Sequence, residues 1–177
     1  METRSWFRLL SAPEGTQLEA LLGFAAARRA HYPTFLLVQH ANTAPVSTAE
    51  PRGKPSRDDR GPSAEEFIAA LAPHLITEAT TDRWPGADAN SASACVRFYR
   101  LEAQTARTLA RVGSLAAFAP PLPEDLCILS NDKTPWLVSS TRANRFHLQL
   151  TGEEQRALAK SLPWLQLAPE SDPPHSG

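Results

Sequence analysis

Hydrophobic positions recur along this chain with two different periods, and the switches between them lay out the elements. Leu18, Leu21, Leu22 and Ala25 fall at i, i+3, i+4 and i+7, which puts one apolar face on a helix. Two overlapping start signals precede that face, Ser11-Ala12-Pro13-Glu14 and Thr16-Gln17-Leu18-Glu19. In each, a hydroxyl and a carboxylate are spaced to satisfy free helix N–H groups. The helix should end near Ala30, before Tyr32-Pro33. The next run, Thr34-Phe35-Leu36-Leu37-Val38-Gln39, is apolar without alternation and bounded by turn residues. It predicts a strand buried on both faces, at the centre of a sheet.

Helical spacing returns at Ile68, Leu71, Ala72 and Leu75, behind a capping box at Ser63-Ala64-Glu65-Glu66, and should stop around His74. Ile76–Thr81 is rich in β-branched residues and predicts a strand closed by the turn Trp84-Pro85-Gly86. Ala94–Leu101 predicts another, with Val96 and Phe98 on one face and Arg97 and Tyr99 on the other. A short helix over 102–112 should end at Gly113, a residue suited to a left-handed cap.

The last third is the most regular. Leu126-Cys127-Ile128-Leu129, Trp136-Leu137-Val138 and the alternating Arg145-Phe146-His147-Leu148-Gln149-Leu150 predict three successive antiparallel strands. His147 falls on the polar face of that alternation and is expected to be exposed. Thr151-Gly152-Glu153-Glu154 caps a final helix carrying Leu158, Leu162 and Leu165. The meander excludes a purely parallel sheet. The fold class expected is therefore α+β, a mixed single domain of about four helices and five or six strands.

Two stretches break the pattern. Residues 41–62 hold four prolines and two glycines among mixed charges. A stretch of this kind is either a lid or partner-binding loop, or a tolerated surface insertion. Residues 168–177 (APESDPPHSG) read as a disordered tail. That leaves residues 1–167 as one globular domain, a comfortable size for a single core in a chain of 177 residues.

Charge changes this picture only slightly. Fifteen Arg and three Lys are balanced by nineteen acids, for a net charge of −1. Such a chain lacks the long-range positive field that draws proteins to nucleic acid or to anionic membranes, so neither partner is expected. Cys95 and Cys127 both sit in apolar runs and are too few for a disulfide framework. They read as small buried hydrophobes in a reducing, cytoplasmic compartment. The apolar stretch near the start is interrupted by Arg8 and is too short for a signal-peptide core.

Common catalytic motifs are missing from the sequence. It has no GxSxG, no GxxxxGK[ST], no GxGxxG, no HExxH and no CxxC. No metal or cofactor is expected. Among the histidines, His40 stands out because it follows the C-terminal end of the central strand, where ligands collect in open sheets. Glu124-Asp125 is discounted as a metal pair because its spacing to Lys133 does not match a nuclease arrangement. The arginines supply the other candidates: Arg97 and Arg100, Arg107 and Arg111 on one helical face, and Arg142 and Arg145 around the last bend. They read as an anion or acidic-partner site, or else as a solvated face.

Leu122-Pro123-Glu124-Asp125-Leu126, followed by Pro135-Trp136-Leu137-Val138-Ser139, resembles a loose family of uncharacterised bacterial proteins. In that family a PEDL run leads into a hairpin, a PWL strand and a His-Glu pair, and Trp84-Pro85-Gly86 is similar to a turn upstream. The His-Glu position is occupied here by Arg142-Ala143. The resemblance implies no established activity. Three functions follow from the whole reading. The first is a non-enzymatic interaction module of the immunity or inhibitor type with a protein partner. The second is a small enzyme using His40 and the arginines on an anionic substrate, and the third, weakest, is nucleic-acid binding.

Overall fold

The computed structural model describes residues 3–40, 62–87 and 91–171. Most of the Pro-rich stretch (41–61) and the last six residues therefore lie outside the described residues. The chain forms a single α+β domain. Its strands are β1 (Ser5–Leu9), β2 (Thr34–His40), β3 (Leu75–Thr81), β4 (Ala94–Arg100), β5 (Glu124–Leu129), β6 (Pro135–Ser140), β7 (Arg145–Leu150) and β8 (Leu167–Glu170). They make one sheet in the order β3-β4-β2-β5-β6-β7-β1-β8, antiparallel at every pairing. The helices are α1 (Thr16–Ala27), α2 (Ala64–Leu71), α3 (Ala103–Ala110) and α4 (Gly152–Ser161).

Alternation along β2 explains how the sheet is covered. Phe35 and Leu37 join the main core with side chains from all four helices, while Leu36 and Val38 join a second cluster with Trp84, Val96, Cys127 and Val138. Successive strand residues point to opposite faces, so the helices occupy one face and the Trp84 turn packs on the other. Trp136 is fully buried in the main core, with its ring centroid 4.7 Å from Tyr32 and 6.2 Å from Phe24. Burying a side chain of that kind stabilises by roughly 1.5–3 kcal/mol.

Four expectations need correction. Among the described residues the sheet has eight strands where five or six were expected, because β1 and β8 both lie at one end. Each is short, and each is held by residues distant in sequence: Phe7 pairs with Leu148 and Pro169. The tail consequently starts too early at 168, since Ala168–Glu170 belong to β8. His147 is 2% exposed, buried on the sheet face opposite the helices. Finally, neither capping box forms at α1. Gly15 is its N-cap with φ 52°, and the Gly15 N–H donates to the Gly113 carbonyl at 2.7 Å. Tertiary pairing with the segment after α3 thus sets that helix start. The boxes at Ser63/Glu66 and Thr151/Glu154 do form.

Among the described residues, no helix is long and apolar enough to cross a membrane.

Candidate functional site

A bulge in β5 creates the site. Leu36 and Val38 of β2 face Cys127 and Glu124, so two steps on one strand match three on the other. The additional residue bends the strand, and Asp125 takes a left-handed φ of 52°. Aspartate tolerates that region better than most residues with a Cβ. In a regular strand Glu124 and Asp125 would point to opposite faces. The bulge instead lets both carboxylates serve one cluster at the end of β2.

His40 is the last residue of β2, and its side chain is only 12% exposed. Its Nε2 lies 4.0 Å from Glu124 Oε1, and its ring meets Trp84 edge-on at 5.6 Å. Arg142, from the turn between β6 and β7, grips Glu124 with two bonds. Nε reaches Oε2 at 3.0 Å and Nη2 reaches Oε1 at 3.2 Å. A planar guanidinium matches a carboxylate in this way, which a lysine does not. The partners differ in setting: the Glu124 carboxylate is 2% exposed and the Arg142 side chain 64%.

Asp125 uses both oxygens. Oδ1 accepts from the Thr141 backbone N–H at 2.9 Å, and Oδ2 accepts from Trp84 Nε1 at 3.2 Å. Burial pushes the Asp125 carboxyl above its ordinary value, and the neighbouring Glu124 charge adds to this. The donated hydrogen bonds and His40 pull in the other direction without cancelling the rise.

The turn Trp84-Pro85-Gly86 is pressed against β6. Gly86 has φ 90°, and a Cβ there would come 2.9 Å from Val138 Cγ1 and 3.2 Å from the Ser139 carbonyl oxygen. Only glycine supports both the conformation and the approach. The Cys127 thiol donates to the Pro85 carbonyl at 3.2 Å, a second tie between turn and sheet. Between these parts lies a cavity of about 400 Å³, lined by His40, Trp84, Asp125, Ser140 and Arg142 among others.

The structure thus brings His40 and Arg142 together and distributes the other arginines. Arg97 donates to Glu78 at 3.1 Å and to Gln39 Oε1 at 2.7 Å. Gln39 and His40 are consecutive in β2, so Arg97 belongs to the opposite face of the sheet from the cavity. Arg100 is exposed at the end of β4, and Arg145 at the start of β7. Arg107 lines a hollow between α1 and α3 with Glu19, and Arg111 is exposed at the end of α3. Among the described residues, no group of three or more His, Cys, Asp and Glu side chains is placed to hold a metal ion.

Sequence reasoning did not bring Glu124, Asp125 and Trp84 into the candidate site. A signal was present: two acids directly abut the apolar run Leu126–Leu129, and acids entering a buried strand need partners. The turn at Trp84 and the strands β5 and β6 also converge in space. Trp84 bonds Asp125 of the PEDL run, and Cys127 pairs with Val138 of the PWL strand. Compared with models of protein families, with curated proteins and with solved structures, the chain matches none.

Proposed function

We propose that the chain is a small enzyme that moves a proton at His40 on a small anionic substrate held in the cavity. The observation that carries this reading is that His40 and Arg142 line the same concavity and share the Glu124 carboxylate. Glu124 lies 4.0 Å from the imidazole Nε2 and orients the ring, as a carboxylate beside a catalytic histidine does. Arg142 holds Glu124 in place, and its largely exposed guanidinium meets the anionic group of the substrate at the rim. Trp84 walls the pocket. The left-handed Asp125, the close-packed Gly86 and a carboxyl with a raised pKa cluster here, as strained and perturbed groups do at functional sites. Turnover of a panel of small carboxylate and phosphate esters by the purified protein tests this. His40→Gln should abolish any activity found, and activity that survives the substitution rejects the reading.

A second reading is a protein-interaction module of the immunity or inhibitor kind. It is favoured by β3, a seven-residue strand that is outermost in the sheet among the described residues. For either reading we place the protein in the cytoplasm, on the ground that Cys95 and Cys127 are both free thiols. Recovery of the native chain from fractionated cells checks that placement.

A further inference from the structure

The two edges of the sheet are built differently. β8 is four residues long and contains Pro169, whose nitrogen cannot donate, so that edge is poorly suited to pairing. β3 has seven residues, Leu-Ile-Thr-Glu-Ala-Thr-Thr, with no proline and no lysine. Its first six are exposed, and Leu75 and Ile76 are 38% and 49% exposed. β4 pairs with one side of it. A long strand of β-branched residues at an edge is a template for another strand.

What flanks β3 defines the chemistry. The β3–β4 register slips between Leu75 and Thr77, and this sets Ile76 between two hollows. The larger, about 510 Å³, is mainly apolar, with Thr77, Phe98 and Leu129 in its lining and Lys133 at its rim. The second, about 390 Å³, carries Arg29 and Arg100. None of these three cations forms an ion pair among the described residues. Of the acids nearby, Glu78 is paired with Arg97 at 3.1 Å, and Glu102, which shares the second hollow with the two arginines, lies 3.6 Å from His74 Nδ1.

We infer that β3 accepts an extended acidic segment of a partner protein as an additional antiparallel or parallel strand, with an apolar side chain seated in the hollow beside Ile76. This rests on the interaction reading and specifies its partner. Backbone bonds to this edge, which no strand pairs among the described residues, supply affinity without demanding sequence, and the alternate side chains of the added strand supply selectivity. Arg29, Arg100 and Lys133 steer acidic chains and reject basic ones.

The test uses the full chain, labelled with nitrogen-15, and two synthetic octapeptides that alternate valine with glutamate or with lysine. The glutamate peptide should slow amide exchange at alternate residues of β3 and shift Phe98 and Leu129. Lys133→Glu and Ile76→Lys, each on the surface, should each weaken it about tenfold. The lysine peptide should bind at least about tenfold more weakly. Equal binding of both peptides, protection elsewhere, or a homodimer that occupies β3 would overturn the inference. A parallel recovery of partners from the native host separates the two levels. Partners captured equally by wild type and Ile76→Lys overturn the β3 site and leave the interaction reading standing. No binding of peptide and no recovered partner overturns both.

Discussion

The indole N–H of Trp84 donates to Asp125 Oδ2 at 3.2 Å, joining the turn before β4 to the bulge at the start of β5. Asp125 is 6% exposed and Trp84 also 6%, so water does not substitute readily for either partner. Trp84→Phe keeps an aromatic side chain, smaller than the indole, and removes the donor. It should lower stability by about 1–3 kcal/mol, the penalty for leaving a buried acceptor unmatched. With Asp125→Ala, which removes the acceptor, in a double-mutant cycle followed by urea unfolding, the two should couple by about 0.5–3 kcal/mol. Additive effects would show that the turn is held by packing alone.

Gly86→Ala should be more damaging than its single added methyl suggests. The substitution forces both a left-handed alanine and a contact of 2.9 Å with Val138. A loss of about 1–3 kcal/mol is expected from the backbone conformation, with the contact adding to it. Near-ultraviolet circular dichroism should report Trp84 leaving its site. Gly113→Ala is the matched control, since Gly113 has the same φ of 90° but nothing within 4 Å of the added carbon. It should cost less.

Acid and stability should be linked with opposite signs at two aspartates. Asp125 holds its proton more tightly in the folded chain than in the unfolded one, chiefly because of burial. Its contribution is complete below the ordinary value of 3.8 and is lost as pH rises through the raised folded value. Asp132 is the reverse. Hydrogen bonds from Ser130 and Thr134 lower its pKa to about 2, so its contribution is present above 3.8 and lost as pH falls towards 2. Carboxyl carbon-13 titration should show the two midpoints on either side of 3.8. Asp132→Asn should remove the acid-side loss and leave the Asp125 midpoint in place.

His147 ties down the last strand. Its Nε2 is 2.7 Å from Glu170 Oε2 on β8, while Nδ1 has no hydrogen-bond partner among the described residues. Burial lowers the imidazole pKa, and Arg145 and Arg8 act in the same direction against the pull of Glu170. A base with a depressed folded pKa contributes stability above its ordinary value and loses it as pH falls through and below 6.5. Amide exchange across Leu167–Glu170 should therefore accelerate between pH 7 and pH 5 once corrected for intrinsic rates, and His147→Gln should flatten that response. Unchanged β8 protection would remove the tether from the account of this edge.

Much of the fold was legible because its signals are local. The capping boxes at Ser63 and Thr151 and the alternation of Phe146, Leu148 and Leu150 announce themselves within a few residues. The unbroken run Phe35–Val38 likewise marks a strand covered on both faces. β1 and β8 were not legible, since each is short and its partners are distant in sequence. The site was half legible. His40 was visible from its place after a central strand, and Arg142 from its place in the last bend. What joins them is the bulge at Asp125, and a one-residue register slip leaves no periodic trace in a stretch of six residues. The same slip explains why Glu124 and Asp125, neighbours that alternation would separate, act together. His147 was misassigned because alternation gives the face of a residue but not whether that face is covered.

The most direct test of the proposed site is a ligand titration watched at the imidazole of His40, in protein labelled with nitrogen-15 histidine only. Small carboxylates and phosphate esters serve as probes. The expected result is that a probe that binds shifts the His40 ring resonances, leaves those of His31 and His74 in place, and loses its effect in Arg142→Gln. A probe that binds while His40 stays silent would contradict the site.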